Sequence, residues 1–356
     1  MRFLMLGGFL GAGKTTTIAR LARRFEAQGK KTAIITNDKA SELVDTLNLR
    51  AQGFHVGELP GVCFCGNVDE LVGMINALGT AYRPDVVMAE PVGSCLDIVA
   101  TVIRPLRTAY GDRFEIAPYG VLVKPTHATK ILRGEENAGF SPKAAYLFRK
   151  QLEEADFIML NRVDQLSPQR ADEIETLLRE QYPDRPIVRM SATTGEGFEA
   201  AAALFDQVSE FGRRIIELDY DAYGAGEAEL GWLNADMMVR RDRPFVLDDF
   251  LLAVVGAIRD RLNAIDAEAS HLKVIGIHGG RFGVANLIST SAAPELSRRS
   301  DAIVEAVHLV VNARIECPPS DLRRAVAEGL QAAATEFACK LERLGEQCFR
   351  PGVASG

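Results

Sequence analysis

The sequence predicts an α/β fold built on a mostly parallel sheet with flanking helices, followed by a smaller α+β domain. Three observations predict it. The stretch Gly8-Phe9-Leu10-Gly11-Ala12-Gly13-Lys14-Thr15 reads G-x-x-x-x-G-K-T, preceded by the apolar run Phe3-Leu4-Met5-Leu6 and followed by a helix-like run from Thr16 to Phe25. Strand, glycine loop and helix in that order are the setting of a phosphate-binding loop. The runs Val86-Val87-Met88-Ala89 and Phe157-Ile158-Met159-Leu160 are apolar without alternation, as strands covered on both faces of a parallel sheet are. Further on the pattern changes: Val307, Leu309, Val311, Ala313 and Ile315 alternate strictly, the mark of a strand with one face in a core. The first part therefore reads as a P-loop NTPase domain.

Bulk properties narrow the function. A chain of 356 residues has room for two domains, and 47% apolar with 25% charged residues is an ordinary globular mix. A net charge of −7 argues against a nucleic-acid binder, which would carry a basic face. No apolar run approaches the length of a membrane span, and no targeting segment precedes the first strand, so a cytoplasmic protein is expected. In a reducing compartment the six cysteines read as metal ligands, reactive thiols or small packed groups rather than a disulfide frame.

In the glycine loop, small residues let backbone N–H groups curl around phosphate oxygens. Gly8, Gly11, Ala12, Gly13, Lys14, Thr15 and Thr16 are the phosphate-binding candidates. Lys14 supplies a charge to the outer phosphates, and the Thr15 hydroxyl is suited to Mg²⁺. The helix that follows carries Ile18, Leu21, Ala22 and Phe25 on one face and stops at Gly29. Thr32 to Thr36 is a short β-rich strand ending in Asn37-Asp38. Asp38 is either a Mg²⁺-side acid or part of a helix cap with Ser41. Next, Gly61-Val62-Cys63-Phe64-Cys65-Gly66 reads as a loop with two cysteines two apart, able to share one metal ion or else packed incidentally. The strand at 86–89 runs into Glu90-Pro91-Val92-Gly93. A carboxylate there occupies the Walker B position, holding Mg²⁺ through water or polarising the attacking water. Gly93 lets backbone approach the terminal phosphate, and Cys95 lies two residues on.

Pro118 to Val123 is the next strand, and Ser141-Pro142 opens a helix with a serine cap and proline at its first position. After the strand at 157–160 comes Asn161-Arg162-Val163-Asp164, close to the N-K-x-D guanine motif, in which the aspartate accepts from the guanine N–H groups. Arg162 can stack on a base. A helix from Pro168 to Glu180 leads to the strand Ile187–Met190 and then Ser191-Ala192, similar to the S-A-x loop that contacts the base edge in GTPases. The expected divisions are a nucleotide domain over 1–212, a linker over 213–234, a C-terminal domain over 235–345 and a tail over 346–356.

In the second domain, Met237–Val239 starts a strand and Asp248-Asp249 opens a helix. A hairpin turns at Gly279-Gly280, and Pro318-Pro319-Ser320 starts a long helix reaching Leu341 and carrying Cys339. The order β-α-β-β-α resembles a ferredoxin-like sandwich lacking one strand. His308, sharing a face with Asn312 and Arg314 opposite the apolar positions, is expected in solvent, and His278 beside the hairpin could line a surface site. His55 is a candidate third ligand for the cysteine pair.

Together these motifs resemble the CobW-like GTPases of the CobW/HypB/UreG class. The loop Gly7–Thr16 is similar to the G-F-L-G-A-G-K-T-T of that family, Glu90-x-x-Gly93 to its glutamate-containing Walker B, and Asn37-Asp38 to Asp45 to its first switch. Gly61–Gly66 resembles the G-C-x-C-C metal loop, with departures: Val62 stands for a glycine, Gly66 for the third cysteine, and elsewhere Arg162 stands for a lysine. The resemblance implies a Mg²⁺-dependent GTP hydrolase with slow turnover, in which Lys14 and Glu90 serve catalysis. It also implies a Zn²⁺ or Co²⁺ cargo held by Cys63, Cys65 and a third group from Cys95, His55, Asp38 or Glu42. The expected partners are GTP and GDP, a metal- or cobalamin-dependent client protein, and a second copy of the chain in a homodimer; no nucleic acid or membrane is expected. A GTP-gated chaperone for a cobalamin- or corrinoid-dependent enzyme, without metal cargo, is the alternative. A small-molecule kinase is disfavoured by the base-reading pair Asn161 and Asp164.

Overall fold

The structure is a computed structural model, described for residues 1–38, 44–60, 64, 68–111, 113–135, 141–208 and 211–350, without the side chains of Asp38, Val44, Pro60, Ala81 and His127. Ser41, Glu42, Cys63, Cys65 and Gly66 lie outside the described residues. The chain divides into two compact units, residues 1–41 with 53–223, and residues 42–52 with 224–356.

The first unit contains β1 (Arg2–Gly8), α1 (Lys14–Ala27), β2 (Thr32–Asp38), β3 (Val56–Pro60), α3 (Val68–Tyr82), β4 (Val86–Glu90), α4 (Arg104–Tyr110), β5 (Glu115–Ile116), β6 (Gly120–Val123), α5 (Pro125–Arg133), α6 (Pro142–Glu154), β7 (Phe157–Leu160), α7 (Pro168–Gln181), β8 (Ile187–Arg189) and α8 (Phe198–Phe205). Between β2 and β3 in sequence, α2 (Val44–Ala51) belongs to the second unit. The strands pair in parallel in the order β3-β2-β4-β1-β6-β7-β8, with β5 beside β1. In such a sheet, ligands lodge outside the carboxyl ends of the strands, where the winding reverses. Here that point is β1, flanked by β4 and β6, so the glycine loop leaving β1 lies at the reversal.

Local sequence explains the elements. Ile18, Leu21, Ala22 and Phe25 are wholly buried on one face of α1, and the chain turns away at Gly29 with φ 78°, a conformation glycine adopts without strain. Ser141 and Ser167 cap α6 and α7, each Oγ accepting from the amide three residues on at 3.2 Å, with proline next in line. Every residue of β4 is buried. A helix, α9 (Tyr220–Ala228), occupies the stretch read from sequence as an aperiodic linker. Its hydrophobic signal is diluted by small residues, since Ala222, Gly224, Ala225 and Gly226 carry little periodicity.

The second unit continues with β9 (Gly231–Val246), α10 (Leu247–Asn263), β10 (Ala269–His278), β11 (Arg281–Leu287), β12 (Glu295–Arg298), β13 (Ile303–Ile315), α11 (Pro319–Glu336) and β14 (Lys340–Phe349). The sheet runs β12-β11-β10-β13-β9-β14, antiparallel throughout. Strands β10-β13-β9-β14 with α10 and α11 have the ferredoxin-like order, and β11 and β12 extend that sheet from the β10 edge. The strand missing from the sequence reading is β14. The expected helix to Leu341 stops instead at Glu336, because Ala338 takes a left-handed φ of 51° and the Cys339 amide closes onto Ala334 O at 2.7 Å. Cys339 thus lies in the turn, and Cys348 and Phe349, assigned to a tail, end a strand. The Gly279-Gly280 hairpin forms as expected, with both glycines at positive φ between His278 and Arg281.

The core positions of β13 pack with α10 and α11. The opposite face corrects the expectation of solvent there. Asn312 and Arg314 are 6% and 2% exposed, and His308 is half-buried against the Asp236 carboxylate. The Asn312 amide donates to Asn234 Oδ1 at 2.7 Å, and the Arg314 guanidinium lies 4.1 Å from the Trp232 ring centre. Alternation cannot distinguish a solvated polar face from one whose polar groups bond to each other. Part of this face is covered by α2, whose Leu47 meets Ile275, Phe282, Val284 and Val310 while Asp45 pairs with Lys273. Among the described residues, no helix is long and apolar enough to cross a membrane.

Candidate functional site

The phosphate end is built where β1 becomes α1. Gly13 has φ 98°, and a Cβ there would lie 2.3 Å from the Asn161 side-chain nitrogen, so both conformation and space demand glycine. Lys14 and Thr15 open α1 with their side chains buried. Lys14 Nζ donates to Gly8 O at 2.9 Å, which folds the lysine back over the loop. Thr16 is exposed on the first turn.

Across from the loop, Glu90 ends β4. The Thr15 hydroxyl donates to Glu90 Oε1 at 2.9 Å, both residues being more than nine-tenths buried. A hydroxyl and a carboxylate juxtaposed beside a lysine form a hard-oxygen donor set, which suits Mg²⁺ and not a soft cation. Glu90 also stands opposite Thr36 in the β2–β4 ladder. The next residue, Asn37, donates to Leu59 O at 2.8 Å and accepts from the Phe64 amide at 3.1 Å. Asn37 therefore ties the strand beside Glu90 to Phe64, the residue between Cys63 and Cys65. Phe64 itself is 1% exposed, which anchors that position in the core.

After Glu90 the chain is irregular from Pro91 to Asp97 and yet buried there and on to Val99. Gly93 abuts the phosphate loop, since a Cβ on it would come within 2.6 Å of the Leu10 side chain and 3.1 Å of its amide nitrogen. Cys95 is 2% exposed within this segment. Of the other cargo candidates, His55 stacks on Tyr82 with ring centres 3.7 Å apart. Among the described residues there is no group of three or more His, Cys, Asp or Glu side chains able to hold a metal ion.

The residues expected at the base end lie on the loops after β7 and β8. Asn161 Nδ2 donates to Ala12 O at 2.7 Å, and Asn161 Oδ1 accepts from the Ala192 amide at 2.9 Å. This one side chain joins the phosphate loop to the second base loop, so both loops are placed by the same group. Arg162 adopts φ 62° and starts the 3₁₀ turn that presents Asp164, which is exposed. Ser191 is wholly buried and its hydroxyl accepts from the Thr194 amide at 3.0 Å.

Two contributors were missed in the sequence. Arg20, one turn along α1, donates to Ala192 O at 2.9 Å and Thr193 O at 2.8 Å and lies over the Phe198 ring. Gln151 of α6, 2% exposed, donates to Gly93 O at 2.9 Å and Cys95 O at 3.1 Å. Arg20 carried a weak signal as a cation on the polar side of a helix, and Gln151 as a polar residue at a core spacing.

Comparison with known proteins agrees with this geometry. Residues 2–189 match the model of the CobW/HypB/UreG nucleotide-binding domain. The chain is 26% identical over 191 residues to the zinc chaperone YeiR of Escherichia coli K12, covering 52% of this chain and 53% of that one. It is 30% identical over 185 residues to the zinc chaperone CobW of a Sinorhizobium species, covering 45% and 50%. The chain thus spans about half the length of these curated relatives. Among solved structures, the Zn(II)-bound YjiA GTPase of E. coli aligns over 92% of this chain and 98% of its own at 17% identity and a TM-score of 0.38. The loop after β1, the carboxylate ending β4 and the match over residues 2–189 make this chain a member of the CobW/HypB/UreG family.

Proposed function

We propose that the chain is a Mg²⁺-dependent GTP hydrolase that holds a divalent metal, Zn²⁺ or Co²⁺, in its GTP-bound form and passes it to a client protein. The observation that carries this reading is the Asn37 bridge. It links Phe64, between two candidate thiolates, to the strand paired with Glu90, so a change at the carboxylate reaches the cysteine segment through one side chain.

The residues divide the work. Lys14 leaves Gly8 O for the outer phosphates and offsets charge there. Thr15 and Glu90 would hold Mg²⁺, which when bound neutralises charge on the phosphate oxygens. Glu90 also orients the attacking water. Asp164 accepts from the guanine N–H groups, Arg162 stacks on the base, and Asn161 keeps the two loops in register. Substituting Asp164→Asn should move preference from guanine toward xanthine nucleotides, because the amide offers a donor where xanthine carries a carbonyl. The names of the curated relatives favour zinc as cargo. The preference of N and S ligands also runs toward Zn²⁺ over Co²⁺.

The deciding experiment is metal titration of the purified protein with a non-hydrolysable GTP analogue, with GDP and without nucleotide. Tight binding of one Zn²⁺ with the analogue alone, lost in Cys63→Ser, is expected. Equal affinity in all three states overturns the proposal. Gly66, where the family motif has its third cysteine, favours a second reading: a GTP-gated chaperone for a cobalamin-dependent client without metal of its own. Nucleotide-dependent capture of that client by metal-free protein would support it.

A further inference from the structure

The segment from Pro91 to Asp97, which leads into a helical turn at Val99, poses a satisfaction problem. Up to Asp97 it is irregular, with one internal turn from the Cys95 amide to Val92 O and no strand or helix ladder, and it is buried throughout, so water does not serve its peptide groups. Buried backbone groups left without partners cost free energy, and such a loop must be supplied from its neighbours. Helix α6 supplies it. Gln151 Nε2 donates to both Gly93 O and Cys95 O, and the Glu154 carboxylate accepts from the Val99 amide. From the other side, the Tyr220 hydroxyl donates to Asp97 Oδ2 at 2.6 Å, where Asp97 holds a left-handed φ of 60°.

These contacts are not equivalent. Asp97 and Val99 lie at the far end of the segment and just past it, whereas Gly93 is the residue pressed against Leu10 of the phosphate loop. Glycine is the softest pivot in a backbone, with no Cβ to restrict rotation. A carbonyl clamped on one side of its Cα limits how the N–H on the other side turns. Gln151 clamps that carbonyl with a neutral amide, and its second acceptor, Cys95 O, fixes the turn immediately downstream.

We propose that Gln151 is a positioning residue for hydrolysis: it holds the Gly93 peptide in the orientation that meets the terminal phosphate, and it acts through Gly93 without touching nucleotide. This rests on the reading above that the site hydrolyses GTP. The role concerns the third phosphate only, so GDP binding is independent of it. Precise placement of groups around a reacting centre is worth large rate factors, and a donor lost here removes one buried hydrogen bond from each of two carbonyls.

The test compares Gln151→Leu and Gln151→Glu with wild type in steady-state GTP hydrolysis and in GDP titration. Gln151→Leu removes the donor at similar volume, and kcat is expected to fall by about ten- to a hundredfold. GDP affinity should stay close to wild type, with the melting temperature of the GDP complex lowered only by the hydrogen bonds lost to the two carbonyls. Gln151→Glu donates only when protonated, and burial raises a carboxyl pKa. Its kcat relative to wild type at the same pH should therefore recover as pH falls from 8 to 6, while that of Gln151→Leu stays flat. A residue that only supported packing would not make kcat titrate. Wild-type kcat in Gln151→Leu overturns the proposal. So does a joint fall of kcat and GDP affinity with no recovery of Gln151→Glu at low pH. A wild-type protein that turns over no GTP in the same assay overturns the functional reading as well, which separates the two failures.

Discussion

In the parallel sheet the buried polar side chains of the candidate site stand at the carboxyl ends of strands: Glu90 closes β4, Asn161 follows β7, and Lys14 and Thr15 open the helix after β1. In the antiparallel sheet buried polar side chains stand within the paired strands rather than in the loops after them: Asn234 in β9, Lys273 in β10, Asn286 in β11, Asn312 and Arg314 in β13. The first set bonds largely to loop backbone and to one another in a pair that a cation could part. In the second set, three side chains are cross-linked over neighbouring strands, with Asn312 on Asn234 and Arg314 on both Asn234 and Trp232, while Lys273 pairs with Asp45 of α2. Polar groups at strand ends are held ready to exchange partners with a ligand. Asn234, Asn312 and Arg314 within the strands have partners already and serve to fix which strands meet. Substitutions should therefore separate the two: at strand ends function is lost while the fold stays, and in mid-strand the reverse.

The largest effect is expected at Glu90. Glu90→Gln keeps an acceptor for the Thr15 hydroxyl but removes the charge to which the proposed function assigns the metal and the attacking water. Hydrolysis should fall by roughly a hundred- to a thousandfold, in the range seen when a single electrostatic group is removed from an active site. Single-turnover kinetics check it, and a melting temperature within a few degrees of wild type would confirm that the fold is untouched. A comparable loss of stability would instead place Glu90 among the structural groups.

Asn161→Ala tests the link between the two ends of the site. It removes two buried hydrogen bonds and leaves Ala12 O and the Ala192 amide without that partner, at about 1–3 kcal/mol for each unserved group. Affinity for GDP should weaken by about ten- to a hundredfold, measured by calorimetry. Because the loss comes from loop placement, inorganic phosphate analogues and free nucleoside should both bind more weakly, whereas loss confined to the nucleoside would restrict Asn161 to the base.

The two halves also differ in how much was legible beforehand. The nucleotide site follows from residues whose chemistry is tied to sequence-local geometry: a glycine loop, a carboxylate after an apolar run, an Asn and an Asp three apart. Each motif is read within one loop, so the order of elements sufficed to assemble them. Gln151 and Arg20 escaped because their partners are backbone carbonyls 58 and 172 residues away in sequence, and no pattern marks which carbonyl a donor will meet. In the second unit, period-2 alternation found the core face of β13 and stopped there. It treated the polar positions as solvated, although Trp232 provides a flat surface for Arg314 on the adjacent strand. The strand β14 was hidden for a related reason: Phe337 and Leu341 continue the spacing of α11, and only the left-handed turn at Ala338 shows that the helix has ended.

Arg314→Met examines the mid-strand set. Methionine retains length and apolar contact with Trp232 but loses the cation–π contact and the bonds to Asn234 Oδ1 and to the carbonyls of Leu233 and Ala313. A destabilisation of about 2 kcal/mol is expected, composed of one desolvated cation–π contact and the bonds beside it. Urea unfolding followed by fluorescence of Trp232, the sole tryptophan, reports it directly. Hydrolysis per folded molecule should be unchanged. A kinetic defect without a stability defect would contradict the division between strand ends and mid-strands.

Asp248 gives a smaller effect with a defined pH window. Burial alone would raise its carboxyl pKa, but hydrogen bonds from Ser300 Oγ at 2.6 Å, the Ser300 amide at 2.8 Å and the Asp301 amide, with Arg299 nearby, hold it below the ordinary value. A carboxyl whose folded pKa is depressed stabilises the fold fully above its unfolded pKa, near 4, and that stability is lost as pH falls through the folded value. At pH 7, Asp248→Asn should cost about 1–2 kcal/mol, because an amide accepts these bonds less well than a carboxylate. The gap to wild type should narrow as pH drops below about 4, where the aspartate itself becomes neutral. Thermal melts of both proteins between pH 7 and pH 3 give the comparison. A gap that stays constant across that range would mean that the ionised carboxylate adds nothing and that only its shape secures the turn between β12 and β13.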